Sequence, residues 1–344
     1  MATSKPQNTT LKDVAKAVGV SAMTVSRVLS GKSHLVNAET VRKCREAAER
    51  LGYVPNLMAR SLRGEQLRTI VMFAEYIASH HYLAELVEQT FKAIEQRGHS
   101  VIVCQSIPSF RQALKNFKLA GAVILAPPEE LFQTATGHGN RIVREPTVVI
   151  HSAVEQNTLN EVSPNIPGLA RAQALHLLEL GHRQLGYLGG PRIETEPLWF
   201  ELRRKGIGEA LAKYGLPASA CRHQVCPDAD LAGVSLQQLM AKSPGTTGLM
   251  CLSDEIAVAA MHGAEKMGRS VPTQLSVVGS NNIHLAGFFK PTLTTLKIDI
   301  RSLVETALNL LFEEINSGAT SGEPVKIKIE SELIVRESTA PPPA

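Results

Sequence analysis

Apolar positions along the chain follow two rhythms, and the change comes near Arg68. In LKDVAKAVGVSAMTVSRVL, residues 11–29, Val14, Ala15 and Val18 recur at helical spacing. Gly19 can supply the left-handed residue that ends a helix, and Ser21 can cap the next one, so the pattern predicts a helix, a tight turn and a second helix. In that second helix Val25, Val28 and Leu29 share a face, which leaves Ala22, Met23, Ser26 and Arg27 on or near the opposite one. A third helix is predicted from the capping residue Asn37, with Val41, Cys44, Ala48 and Leu51 as its apolar stripe. Gly52 closes it and Pro55 forbids its continuation.

Beyond Arg68 short apolar runs alternate with amphipathic stretches. TIVMFA, SVIVC, GAVILAP and PTVVIH read as strands, with helices predicted over about 82–97 and 110–119; the stretch after Val103 is short, so the second helix is expected to be trimmed or displaced. The theme repeats with helices near 168–180, 201–214, 232–241 and 255–267, between QLGYLGG, HQVC, GLMCLS and LSVVGS. Apolar runs without polar alternation, joined through helices, predict parallel sheets covered on both faces. Two such series predict two α/β lobes behind an all-helical head. Sheets of this kind bind ligands beyond the carboxyl ends of their strands. The residues that follow the runs are therefore candidates: Glu75, His151, Ser253 and Asn281.

Charge sharpens the division. The chain of 344 residues carries a formal net charge of only +4. Residues 1–68 nevertheless hold 12 Lys/Arg against 5 Asp/Glu, and the remainder is slightly acidic. A basic three-helix head with a polar second helix fits a polyanion, and the end of that helix can enter a DNA major groove. The chain as a whole, with 44% hydrophobic residues, has the composition of an ordinary globular protein. The polar opening MATSKPQNTT lacks the apolar core of a secretory signal, and no run is long enough to span a membrane, which predicts a cytoplasmic protein with no membrane partner. Five scattered cysteines suit reduced core thiols. Cys221, His223 and Cys226 form the one cluster of soft ligands, but paired CxxC spacing and a fourth ligand are missing, so no metal is expected.

The run LKDVAKAVGVSAMTVSRVLSG followed by LGYVPNLMARSLRG resembles the DNA-binding headpiece of the LacI/GalR family of bacterial transcription regulators. The resemblance implies that Ala22 and Met23 hold the variable base-selecting positions and that Arg27 stands where the family places a guanine-reading arginine. An arginine there can donate two hydrogen bonds to O6 and N7 of guanine, while Ala22 and Met23 can sense thymine methyls and groove shape. Thr10, Ser21, Ser26 and His34 match phosphate-contacting positions, which set register; the alternative for each is a helix cap or a surface polar group. Asn56–Leu62 resembles the family's hinge helix, too short to be stable alone. Asn56, Ala59 and Leu62 would meet a second copy in the minor groove, with Leu62 wedged into a base step. The implied organisation is a headpiece over 1–55, a hinge over 56–67, a two-lobed effector and dimerisation domain over 68–336, and a disordered tail over 337–344.

The body resembles the periplasmic-binding-protein-like effector domain of the same family. By that resemblance Glu75, Tyr82, His151, Arg203, Ser253 and Asn281 face the effector, Arg203 as the group that grips ligand hydroxyls or a carboxylate. Where the family usually has aspartate after the VVG strand, this chain has Ser280-Asn281-Asn282, and an amide both donates and accepts. That weakens a neutral sugar as ligand. Arg203 with a protonated His151 would favour a sugar acid or another anion, and Glu75 would oppose it. Trp199, in a long loop, is either an aromatic platform or a lid anchor. The expected function is a dimeric transcription regulator, most simply a repressor, that binds double-stranded pseudo-palindromic operator DNA and responds to a small sugar-like or acidic metabolite. The ending STAPPPA lacks the leucine heptads that would build a higher assembly. GYLGGP lacks the spacing of a nucleotide-binding loop, and neither a catalytic constellation nor a cofactor motif is present, so neither an enzyme nor a cofactor is expected. Two alternatives remain: a cytosolic sugar-binding protein, which the basic head opposes, and an architectural DNA binder, which would need no cleft.

Overall fold

The computed structural model describes residues 9–29, 36–53, 68–75, 81–128, 130–133, 143–151, 158–189, 197–318 and 323–343. The chain divides into two compact units, Met1–Leu67 and Arg68–Ala344.

In the first unit, three helices, α1 (Leu11–Val18), α2 (Ala22–Leu29) and α3 (Ala38–Arg50), enclose a small core of Val14, Ala15, Val25, Val28, Cys44, Ala47 and Ala48. Gly19 ends α1 in the left-handed conformation at φ 74°, and its N–H donates to the Ala15 carbonyl. The Ser21 hydroxyl accepts the Thr24 N–H at 3.1 Å to start α2, and Asn37 caps α3 through the Thr40 N–H. The Thr9 hydroxyl donates to the Leu51 carbonyl at 2.7 Å, joining the start of the unit to the end of α3.

The second unit contains two six-stranded sheets. The strands of the first are β1 (Thr69–Ala74), β2 (Ser100–Cys104), β3 (Gly121–Leu125), β4 (Thr147–Ile150), β5 (Asn160–Pro164) and β11 (Lys326–Ile329), in the order β11-β5-β4-β3-β1-β2, all parallel. The second runs β12-β10-β9-β8-β6-β7, from β6 (Leu185–Leu188), β7 (Cys221–Gln224), β8 (Gly248–Cys251), β9 (Ser276–Ser280), β10 (Thr294–Ile298) and β12 (Ser331–Ile334). It is parallel except for the β10–β12 pair. β1, β3, β4, β6, β8 and β9 are buried at every position, as strands covered on both faces must be.

The covering helices of the first lobe are α4 (His81–Gln96), α5 (Ile107–Asn116), the short α6 (Glu130–Gln133) and α11 (Ile300–Ser317). Those of the second are α7 (Ile166–Glu179), α8 (Pro197–Lys213), α9 (Ala232–Lys242) and α10 (Asp254–Lys266). α5 begins and ends about three residues earlier than its periodicity suggests, because Ser106 caps it and Pro108 occupies its first turn. The chain passes between lobes at Asn165, Asp299 and Glu330, each joining elements of different lobes. Two crossings are tied together, since the Asn165 amide donates to the Glu330 carboxylate at 2.6 Å.

The expected disordered tail over 337–344 is corrected. Ser338 is fully buried; its hydroxyl donates to the Val277 carbonyl at 2.6 Å and accepts the Thr294 N–H at 2.8 Å. The Ala340 carbonyl accepts from the Ser276 hydroxyl at 2.9 Å and bonds His182 at 3.0 Å, and His176 bonds the Thr339 hydroxyl. Prolines do not prevent order here, because the bonds use the residues ahead of them and find partners far away in sequence.

Candidate functional site

On the head, α2 presents the predicted reading surface. Met23 is 64% exposed, Arg27 is exposed, and Ala22 and Ser26 are half-buried at the edge of the core. Val25 and Val28 anchor the other face, so the exposed side chains are held on a fixed element. Thr10 and Ser21 are both capping residues. The Thr10 N–H and hydroxyl donate to Asp13 at 2.8 and 2.7 Å, and the Ser21 hydroxyl bonds Thr24 as well. Both remain exposed at helix N-termini, where backbone N–H groups and the helix dipole favour an anion. His34, Asn56, Ala59 and Leu62 lie outside the described residues.

In the second unit the backbone is strained where strands end. Among the described residues, four that are not glycine adopt positive φ: Ala126 after β3, His151 after β4, and Asn281 and Asn282 after β9, at 42°, 61°, 99° and 50°. Such conformations cost about 1–3 kcal/mol each and persist only where the surroundings enforce them. Here all four follow the carboxyl end of a strand, where open α/β sheets receive ligands. Asn281 holds its position through an N–H to the Leu296 carbonyl at 2.8 Å, and the Asn282 amide oxygen accepts from Arg336 at 2.7 Å.

Three aromatic rings bridge the lobes at this level. Tyr82, on α4, and His151 belong to the first lobe, and Trp199, near the start of α8, belongs to the second. The His151 and Trp199 rings stack at 4.6 Å and 23°, and Tyr82 tilts against His151 at 4.9 Å with its hydroxyl 2.9 Å from Nδ1. Burial pulls the His151 imidazole down to about 3, assisted by the nearby cations Arg203 and Lys328. The imidazole is neutral at physiological pH, so the protonated His151 expected from the sequence is corrected.

Arg203 sits one turn beyond Trp199 on α8 and is only 6% exposed. One terminal nitrogen of its guanidinium, NH1, finds no hydrogen-bond partner among the described residues, and the same holds for the Tyr187 hydroxyl, the Gln173 Oε1 and the Ser280 hydroxyl. Gln173, on α7, donates its amide hydrogens to the Cys251 and Gly279 carbonyls at 3.1 and 2.7 Å, which places it against the ends of β8 and β9. Burial pushes the Tyr187 phenol up to about 12, with the Arg203 guanidinium pulling the other way. Buried polar groups are normally paired, so neighbours such as Arg203 and Tyr187 that are left open mark a place able to meet something else.

The other predicted residues have defined places. Ser253 is buried and caps α10 through the Ile256 N–H. Its neighbour Asp254 accepts from the Thr295 hydroxyl at 2.5 Å and the Ile283 N–H at 2.8 Å, and so fastens the loop after β9; burial pushes its carboxyl up to about 7. Glu75, just past β1, is half-buried and already has a partner within the protein. Tyr187 and Gln173 escaped the sequence reading because they lie inside a strand and a helix, where nothing in the pattern marks them. Cys221 and Cys226 are buried thiols pushed up by burial, and no metal-binding group of three appears among the described residues. No described helix is long and apolar enough to cross a membrane.

Comparison with known proteins connects these two surfaces. Residues 10–56 match the model for bacterial regulatory proteins of the lacI family, and residues 174–339 match that for a periplasmic binding protein-like domain. The chain is 28% identical over 339 residues to the HTH-type transcriptional repressor PurR of Actinobacillus pleuropneumoniae serotype 3 (strain JL03), covering 96% of this chain and 98% of that one. It is 27% identical over 347 residues to the transcriptional regulator AscG of Escherichia coli (strain K12), covering 97% and 99%. Its structure is similar to that of the lac repressor dimer bound to operator and the anti-inducer ONPF, with a TM-score of 0.81 at 26% identity over 97% of this chain and all of that one. The similarity runs through the head and the body alike, and with it the chain belongs to the LacI family of regulatory proteins, as a ligand-controlled, DNA-binding transcription regulator and not an enzyme.

Proposed function

We propose that the chain is a repressor that binds a pseudo-palindromic operator as a homodimer and is controlled by a small metabolite, sugar-like or acidic, held between the lobes of its body. Residues 1–55 read the operator, 56–67 form the hinge, and the remainder, extended past 336 by the packed tail, senses the ligand and dimerises. Arg27 reads guanine, Ala22 and Met23 sense thymine methyls and groove shape, and Thr10, Ser21, Ser26 and His34 meet phosphates. Asn56, Ala59 and Leu62 serve the hinge, Leu62 as the wedge. Glu75, Tyr82, His151, Arg203 and Asn281 line the effector site, with Ser253 fixing the helix behind it.

The observation that carries this reading is the His151–Trp199 stack across the lobes of the body, with the buried Arg203 one turn along the same helix and strained backbone at the strand ends, in a chain whose α2 exposes Met23 and Arg27. Dimerisation is supported by exposed apolar side chains beside one core cluster of the second lobe: Leu231, Val234, Leu285 and Phe288 are 45–68% exposed next to Ala232 and Ala286 of that cluster. A single head contacts only a few base pairs, and two-fold symmetry doubles the site. The experiment is to select duplexes from a random pool with the full-length chain and to measure the mass of the complex by light scattering. A symmetric site bound by two chains supports the reading; an asymmetric site bound by one chain refutes it.

A further inference from the structure

We infer that the effector is a small ring-bearing carboxylic acid, whose ring takes the place of the Trp199 indole against the His151 imidazole and whose carboxylate pairs with Arg203. This rests on the proposed effector site and deepens it. Trp199 and Arg203 are four residues apart on α8 and so neighbours on one face, with side-chain origins about 5–6 Å apart. A flat molecule that replaces the indole is therefore within reach of the guanidinium. The indole already stacks on His151 at 4.6 Å and 23°, so this face of the imidazole accepts a planar partner.

The charge of that partner follows from what Arg203 lacks. Arg203 is 6% exposed, its guanidinium has an open donor nitrogen, and it makes no ion pair with any described carboxylate. A cation so placed is costly unless an anion meets it, and a carboxylate accepts from a guanidinium in a two-pronged fit. Of the carboxylates near the strand ends, Asp254 is engaged by Thr295 and Ile283 and Glu75 by its own partner, while Glu255, with a buried oxygen left open at the start of α10, forms no ion pair with Arg203. Lys328, also near His151, is matched by Glu161 at 2.9 Å, which leaves Arg203 as the cation awaiting a counter-charge. His151, kept neutral by burial and by those same cations, supplies a stacking face with no charge of its own. Asn281 adds an amide after β9, which can donate to a ligand oxygen as a carboxylate could not.

Trp199 is the only tryptophan, so its emission reports the exchange directly. The full-length protein is titrated with glucuronate and 4-hydroxybenzoate, which separate a pyranose face from an aromatic one, and with their neutral counterparts methyl glucoside and 4-hydroxybenzyl alcohol. The expected result is a saturable change in Trp199 emission with one of the acids, its neutral counterpart binding at least about tenfold more weakly. Arg203→Gln abolishes that preference, and Arg203→Lys, which keeps the charge, retains part of it. Thermal melts of both variants establish that they are folded; if Arg203→Gln does not fold, a weakening confined to the acid in Arg203→Lys serves instead. Equal binding of acid and neutral ring, acid binding unchanged in a folded Arg203→Gln, or no response from any of the four compounds overturns the inference. A neutral ring that binds more tightly and alters DNA binding overturns it too, yet leaves the ligand-controlled regulator standing.

Discussion

His151 follows β4 at φ 61°, inside the protein, with a tyrosine hydroxyl on one nitrogen and an indole on its face. Its position was legible, because an apolar run that stops has an address for whatever follows. Its ionisation was not, because burial and the nearness of Arg203 arise from distant parts of the chain. The same holds for His176, His182 and His223, all held below the usual histidine value chiefly by burial. For such groups the unfolded state binds the additional proton, so the stability present above the unfolded value near 6.5 is lost as pH falls through the window below it. Asp254 opposes this between about 4 and 7, since its folded carboxyl, pushed up to about 7, holds a proton that the unfolded chain releases. Four histidines outweigh one aspartate, so the melting temperature should fall between pH 7 and pH 5, and His151→Gln should flatten that slope. A melting temperature that rises on acidification would refute the assignment. On the head, Arg27→Ala should weaken binding to the selected operator by about 1–3 kcal/mol while hardly changing binding to random duplex, as gel shifts on both would show.

The elements that the pattern predicted are those with strong periodicity or unbroken apolar runs. α1, α2 and α3 were legible from three apolar stripes and their caps, and β1, β3, β4, β6, β8 and β9 from runs buried on both faces. β5, β10, β11 and β12 were not, and neither was α11. β5 reads NEVSP and owes its place to β4 and β11, while the alternating KIKI of β11 pairs with a strand more than 160 residues earlier. Close helix packing was equally hidden. A Cβ on Gly206 of α8 would lie 2.0 Å from the Pro167 carbonyl oxygen at the start of α7, a backbone atom that cannot swing aside. Gly206→Ala should therefore cost about 1–3 kcal/mol in urea unfolding, and because α8 carries Trp199 and Arg203, it should also alter Trp199 emission. An unchanged midpoint and spectrum would show that this contact does not set the helix.

At the scale of the whole chain, the division between a basic head and a slightly acidic body was visible in charge alone, and the structure divides its contacts between Leu67 and Arg68. The three passages between lobes at Asn165, Asp299 and Glu330 were not, because a crossing is defined by which sheet each strand joins. The packing of the tail is hidden for a related reason: its proline-rich composition suggests disorder, while Ser338 and Ala340 bond to strands more than 40 residues away. Deleting residues 337–344 should lower the unfolding free energy by about 3 kcal/mol or more, given several buried hydrogen bonds of about 1 kcal/mol each, and calorimetry would detect it.

Ligand control of DNA binding requires that one molecule favour one arrangement of the lobes, and by linkage the operator must then change that molecule's affinity by the same factor. The most direct test is the affinity of the full-length protein for its selected operator, measured by fluorescence anisotropy with and without a saturating amount of a compound that changes Trp199 emission. The account predicts a change of about 5-fold or more, in either direction, mirrored in the compound's own affinity when operator is present. An operator affinity that stays the same while the compound fills the cleft would contradict it.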